Sequence, residues 1–88
     1  MIVLDMEFSG LDPRKNSIVS IGAVDFENPS RQFYEECKIW KGAEIVSESL
    51  AICGFSKDEV KNPRKNPESV ATMNFLEWML LSRDKTFA

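Results

Sequence analysis

The chain opens with Ile2-Val3-Leu4, apolar without polar alternation, and runs directly into Asp5-Met6-Glu7-Phe8-Ser9-Gly10. Such a run reads as a strand covered on both faces, the kind that lies at the centre of an α/β sheet. Side chains at i and i+2 of a strand share a face, so Asp5 and Glu7 stand side by side, roughly 6.5 to 7 Å apart along the backbone. Ser9 and Gly10 then break the strand just beyond the acids. Ligands of open α/β sheets gather at this carboxyl end of the strands.

Spacing alone proves little in a chain with 14 acidic residues, and the sequence contains its own control. Asp25 and Glu27 repeat the spacing but lead into Asn28-Pro29-Ser30, a turn in which acidic side chains are solvated. That second pair is read as surface. Two adjacent carboxylates, with no histidine in the chain and no activated cysteine or serine, suit hard divalent cations such as Mg2+ or Mn2+, which prefer oxygen ligands. Two such ions about 4 Å apart can activate a water and stabilise a leaving oxygen in phosphodiester hydrolysis, chemistry that takes more carboxylates than two.

Eighty-eight residues make one domain, 1–88, with a modest core. Hydrophobic residues at 43% and charged residues at 28% are ordinary globular proportions and argue against disorder. A net charge of −3 excludes a broad basic surface for polyanions, though not nucleic acid handled through metal. Cys37 and Cys53 have no CxxC spacing, so neither a disulfide framework nor a zinc site is implied. The apolar run before Asp5 is too short for a leader, and Phe75 to Leu81 is short and interrupted by Glu77, so no membrane span is predicted. Cytoplasmic residence with reduced thiols follows as the expectation.

After a turn over Leu11 to Asn16, Ser17 to Phe26 reads as a second strand, with apolar residues on both parities. Arg31 to Trp40 reads as a third, with Phe33, Cys37 and Ile39 on one parity. Three strands joined by short turns form an antiparallel meander. Glu44 to Cys53 reads as a helix ended by Gly54, and Ser56 with Glu59 forms a capping box for one more helical turn. Asn66 is placed to cap a helix over Pro67 to Leu81, with Val70, Met73, Leu76 and Leu80 as its core stripe. Phe75, Trp78, Met79 and Leu81 carry apolar surface round much of that helix, so partners are predicted on two sides. Lys85 to Ala88 reads as the start of another strand. The basic residues Lys57, Lys61, Arg64 and Lys65 read first as a solvated loop face, and phosphate positioning would need proximity to Asp5. Trp40 and Trp78 are assigned to core packing rather than base stacking.

Asp5-Met6-Glu7-Phe8-Ser9-Gly10-Leu11-Asp12-Pro13, followed by Ile18 to Val24, resembles the first motif of the DEDD 3′-to-5′ exonucleases. That family includes ribonuclease T, oligoribonuclease and the proofreading subunit of DNA polymerase III. Ala51 to Val60 is similar to the helix, glycine and capped turn of the same enzymes. The resemblance implies a ribonuclease H-like α/β fold, of which this chain holds the N-terminal half: a three-stranded antiparallel meander, then helices, with the fourth strand incomplete. It implies that Asp5 bridges two Mg2+ or Mn2+ ions and Glu7 binds the one that activates water. The backbone at Phe8 and Ser9 then faces the 3′-terminal nucleotide of single-stranded DNA or RNA, and Gly10 and Leu11 complete the substrate contact, Leu11 as a wedge against the base.

The family's second motif supplies an aspartate from beyond the fourth strand, and its third supplies a histidine or tyrosine with another aspartate. Neither matches this chain: Asp84 precedes the last strand segment, Glu77 lies mid-helix, and Tyr34 comes too early to be the general base. The chain is therefore expected to be catalytically poor by itself, and to be completed by a C-terminal half or by a homo-oligomer. The alternative is a non-enzymatic binding or assembly module that uses the apolar Phe75 to Leu81 surface.

Overall fold

The computed structural model describes residues 1–82 and 85–87. β1 (Ile2–Phe8), β2 (Ile18–Asp25) and β3 (Asn28–Lys38) form the predicted antiparallel meander, with Asp5 opposite Gly22 and Gly22 opposite Tyr34. β3 starts earlier than the sequence suggested. The hairpin turn is Phe26-Glu27, closed by the pairing of Asp25 with Asn28, so Asn28, Pro29 and Ser30 belong to the strand. Pro29 is tolerated because, among the described residues, β3 pairs on its outer side only at Cys37 and Lys38, far from this end.

The presumed surface pair is also only half exposed. Asp25 is buried, accepts from the Glu27 amide at 3.2 Å and lies 3.4 Å from the Arg31 guanidinium, while Glu27 remains outside. β1 is likewise covered on one face rather than two. Ile2, Leu4 and Met6 point into the core, whereas Val3 and Asp5 are exposed on the other side.

The core lies between that sheet face and α3 (Glu68–Leu80), where Ile2, Ile21, Ala23 and Cys37 meet Ala71 and Phe75. Phe33, Phe75 and Trp78 form an aromatic cluster with ring centroids 5.7 to 6.2 Å apart, and Arg31 caps the Trp78 ring at 4.7 Å. The predicted stripe of Val70, Met73, Leu76 and Leu80 is on the wrong side and is exposed. A helix apolar nearly all round does not declare its inner face, and burial here selects the face with the larger aromatic area.

α1 (Ser47–Cys53) begins three residues later than predicted. The backbone of Glu44 and Val46 is taken instead by the loop after β1: the Glu44 amide donates to the Lys15 carbonyl and the Val46 amide to the Ser9 carbonyl. Gly54 ends α1 at φ 82°, in the left-handed region that glycine reaches without strain. α2 (Lys57–Val60) carries the predicted Ser56/Glu59 capping box. Val60 and Leu50 pack with Val19 in a second small core.

Asn66 does not cap α3. With Pro67 it forms β4 (Asn66–Pro67), pairing in parallel with Cys37 and Lys38, and its side-chain amide donates to Glu35. The start of α3 is tied to β2 by Glu68, whose carboxylate accepts from the Ser17 hydroxyl and the Ile18 amide. The sheet order is β1-β2-β3-β4, and Phe87 makes an isolated parallel bridge to Ile2 on the other edge of β1. Asp84 and Ala88 fall outside the described residues. Among the described residues no helix is long and apolar enough to cross a membrane.

Candidate active site

β1 delivers Asp5 and Glu7 to the face turned away from α3, beside Gly22 and Ser20 of β2 and then Tyr34 and Glu36 of β3. The bare Gly22 and the side chains of Val3, Gln32 and Tyr34 leave a shallow hollow of about 530 Å³ next to Asp5. Asp5 is exposed, and its carboxylate has neither a hydrogen bond nor an ion pair among the described residues. The register shifts between Glu7 and Phe8, a bulge that bends the strand end and re-aims its side chains.

Glu7 is held from the helix side. The Cys53 thiol, in the last turn of α1, donates to Glu7 Oε2 at 2.8 Å. Burial, then the hydrogen bond to Glu7, pushes that thiol up to about 11, so at neutral pH it is a protonated donor. Tyr34 donates to Glu36 Oε2 at 2.8 Å, and Lys65 pairs with the other Glu36 oxygen at 2.8 Å. Burial and then Glu36 push the Tyr34 phenol up to about 12, which leaves it unable to accept a proton as a base. The Lys65 hydrogen bond, followed by that from Tyr34, holds Glu36 below the usual carboxylate range.

Beyond the acids, Ser9 is fully buried. Its amide donates to the Ser17 carbonyl at 2.8 Å, its hydroxyl donates to the Glu44 carbonyl at 2.8 Å and accepts from the Ser17 amide at 2.9 Å. A Cβ on Gly10 would fall 2.5 Å from the side-chain amide of Asn16, which is itself fixed by the Asp12 amide and the Glu44 carbonyl. Only glycine allows that approach. Phe8 and Leu11 instead reach the surface, Leu11 with 97% of its area exposed. With Met6, Glu7, Ile52 and Cys53 they line a groove of about 250 Å³.

The residues singled out in the sequence therefore divide into two sets. Asp5, Glu7, Phe8 and Leu11 gather at the open surface, while Ser9 and Gly10 lie beneath them as supports. The sequence does not single out Cys53 or Ile52 as site residues, and it sets Tyr34 aside as a base without placing it beside the acids. Tyr34 shares strand parity with Glu36, a signal that was available, whereas nothing in the local sequence joins Cys53 to Glu7. The free carboxylate of Asp5 beside Glu7 is a hard oxygen donor set of the kind Mg2+ and Mn2+ take. Among the described residues no group of three or more histidine, cysteine, aspartate or glutamate side chains could hold an ion.

Residues 2–84 match the family model of the RNase T exonucleases. Among solved structures, the crystal structure of cell-death related nuclease 4 (CRN-4) aligns with 99% of this chain at a TM-score of 0.63 and 17% identity. The chain spans about a third (32%) of that protein's length. No curated protein matches the sequence. The likeness to CRN-4 and the family match establish the ribonuclease H-like α/β architecture of the sheet and helices described above. With the carboxylate pair at the end of β1 and a match over nearly its whole length, the chain belongs to the RNase T exonuclease family.

Proposed function

We propose that this chain is part of a 3′-to-5′ exonuclease that hydrolyses phosphodiester bonds at the 3′ end of single-stranded DNA or RNA, with Mg2+ or Mn2+ held by Asp5 and Glu7. The observation that carries this reading is the Asp5 carboxylate, without a hydrogen bond or ion pair among the described residues, on the open sheet face beside Glu7, which lines an apolar groove. When bound, the ions supply positive charge against the phosphodiester and lower the pKa of water. Cys53 takes up one Glu7 oxygen and leaves Oε1 to the ion. Phe8, Leu11 and Ile52 hold the terminal base, and Ser9 and Gly10 fix the loop that presents them. The free thiols of Cys37 and Cys53 favour a reducing, cytoplasmic setting.

Tyr34, the aromatic hydroxyl nearest the acids, keeps its proton and does not supply the base. Each missing base or metal contribution is worth ~10² or more, so the 88-residue chain alone should be several orders of magnitude slower than a family member with a full set of ligands. The test is a gel assay on 3′- and 5′-labelled oligonucleotides with Mg2+ or Mn2+. Trace trimming from the 3′ end that disappears in Asp5→Asn is expected. Rapid digestion by this chain would overturn its assignment as a poor catalyst, and release from the 5′ end would overturn the polarity.

One observation favours a second reading, an assembly module: Met73, Leu80 and Leu81 of the α3 region are each more than 60% exposed. Sedimentation with and without Mn2+ separates the two, because a dimer that forms only with metal joins both roles and a stable monomer without metal affinity counts against both.

A further inference from the structure

We propose that Trp40, Lys41 and Lys61 form a second nucleic-acid contact, which takes a base and adjoining phosphates of a single strand on the 5′ side of the nucleotide held by Phe8 and Leu11. The inference rests on the nuclease reading and extends it to a surface outside the carboxylate site.

The contact is built where β3 ends. The Ile39 amide donates to the Val60 carbonyl at 2.9 Å, which draws the end of α2 alongside. The Ala43 amide donates to the Trp40 carbonyl at 3.0 Å and closes a turn, with Gly42 at φ 88°. A hollow of about 390 Å³ results, lined by Ile39, Trp40, Lys41, Gly42, Ala43 and Lys61, with no carboxylate among them.

Trp40 was assigned to the core from sequence, yet it belongs to neither core cluster and leaves 39% of its surface exposed. Trp78 shows what a packed tryptophan looks like here, enclosed by Phe33, Phe75 and Arg31. The lysines are just as distinct. Lys41, Lys57, Lys61 and Arg64 make no ion pair among the described residues, although the chain has an excess of acids. Lys65, in contrast, is committed to Glu36 and lies over the Phe55 ring. Of the basic cluster noted in the sequence, only Lys61 therefore reaches this hollow, where Lys41 joins it.

A half-exposed indole flanked by unpaired cations fits one ligand chemistry well: a base stacks on the ring while phosphates meet the ammonium groups. The hollow is also stitched to the nucleotide loop. The Glu44 amide donates to the Lys15 carbonyl, and the Glu44 carbonyl accepts from Ser9 Oγ at 2.8 Å and Asn16 Nδ2 at 2.9 Å. The hollow at Trp40, Lys41 and Lys61 thus lies on the segment bonded to the loop that carries Phe8 and Leu11, with the exposed side chain of Glu44 on the linking stretch.

The test measures fluorescence anisotropy of 5′-labelled oligothymidylates of graded length on the 88-residue chain, with heparin as a base-free polyanion control. Trp40→Ala should weaken binding of long oligonucleotides about tenfold, and Trp40→Phe should restore most of it, because stacking needs a ring rather than an indole. The pair Lys41→Glu with Lys61→Glu should weaken binding further and reduce the salt slope by about 1.4, the value for two single-strand phosphates. Competition by thymidine monophosphate at Phe8 and Leu11 should be unchanged in all three variants. These side chains lie at the surface, and circular dichroism verifies their folding. Wild-type affinity in Trp40→Ala, or equal losses for heparin and oligothymidylate, would overturn the second contact. If Leu11→Ala still weakens oligonucleotide binding in that case, the nuclease reading stands without it. A wild-type chain that binds no oligonucleotide overturns both.

Discussion

The two faces of the β1-β2-β3 meander differ in almost everything except their strands. On the α3 side, Ile2, Leu4 and Met6 of β1 continue into Ile21 and Ala23 of β2 and Phe33 of β3, all packed against Ala71, Phe75 and Trp78. On the other side the same strands present Val3, Asp5 and Glu7, then Val24, Gly22 and Ser20, then Tyr34 and Glu36. Val3 is 38% and Tyr34 63% exposed. The period of two couples these faces. A slip of β1 by one residue would bury the two acids and expose its apolar set, so the packing that stabilises the sheet also aims the carboxylates.

Removing the centre of the packed face should break this relation most severely. Phe75→Ala takes away a ring that touches Phe33, Trp78 and Phe87. A buried Phe→Ala change costs about 3–5 kcal/mol, a large share of the stability of a domain this small. Urea unfolding should show the loss directly. Activity and metal binding should disappear with the fold, although neither carboxylate has been altered.

Asp5→Asn is the converse, a change to the open face alone. It should lower metal-dependent hydrolysis by ~10² or more and leave the melting temperature within a degree or two, because among the described residues the carboxylate has no hydrogen bond or ion pair to lose. Calorimetry of the variant is the sharper half of this experiment. A clear drop in melting temperature would mean that the open face also contributes to the fold.

How much of this was legible in the sequence depends on whether local or distant atoms made the choice. Strand parity is local, and it placed Asp5 and Glu7 on one face from their spacing alone. The face of α3 is not local, since apolar residues surround the helix and Phe33, over 40 positions earlier, decides which of them turn inward. The start of α1 was misread because the Ser9 and Lys15 carbonyls capture the Val46 and Glu44 amides. Asn66 looked like a cap and was drawn into pairing with Cys37 instead. Asp25 looked solvated until Arg31, along the same hairpin, met it.

The loop between the two faces is next in expected effect. Gly10→Ala would put a methyl group 2.5 Å from the Asn16 amide, which is buried and bonded at both ends. The Asn16 amide cannot yield without breaking a hydrogen bond, so a cost of about 1–3 kcal/mol is expected in chemical denaturation. Relief in the double variant Gly10→Ala with Asn16→Ala would show that this single contact is responsible. An unchanged midpoint in the single variant would show instead that the loop has room that the geometry denies.

The smallest predicted effect concerns Cys53, whose thiol reaches Glu7 from α1. Cys53→Ala removes the thiol that orients Glu7 but no atom of the core, so stability should hardly move. Loss of such an outer hydrogen bond typically weakens metal affinity by about tenfold or more, and Mn2+ titration followed by electron paramagnetic resonance measures it. Cys53→Ser keeps a donor at the same position and should recover most of the affinity, which a purely volumetric role would not explain. The pH dependence has a definite sign. Because the folded thiol is raised to about 11, it stays a donor throughout the neutral range, and the difference between wild type and Cys53→Ala should be flat from pH 6 to about 9. The stability contributed by a raised thiol is complete below the unfolded value and is lost as pH climbs toward the folded one. The gap between the two proteins should therefore narrow only in alkali, and a gap that opens or closes near pH 7 would show that Cys53 is not a neutral donor to Glu7.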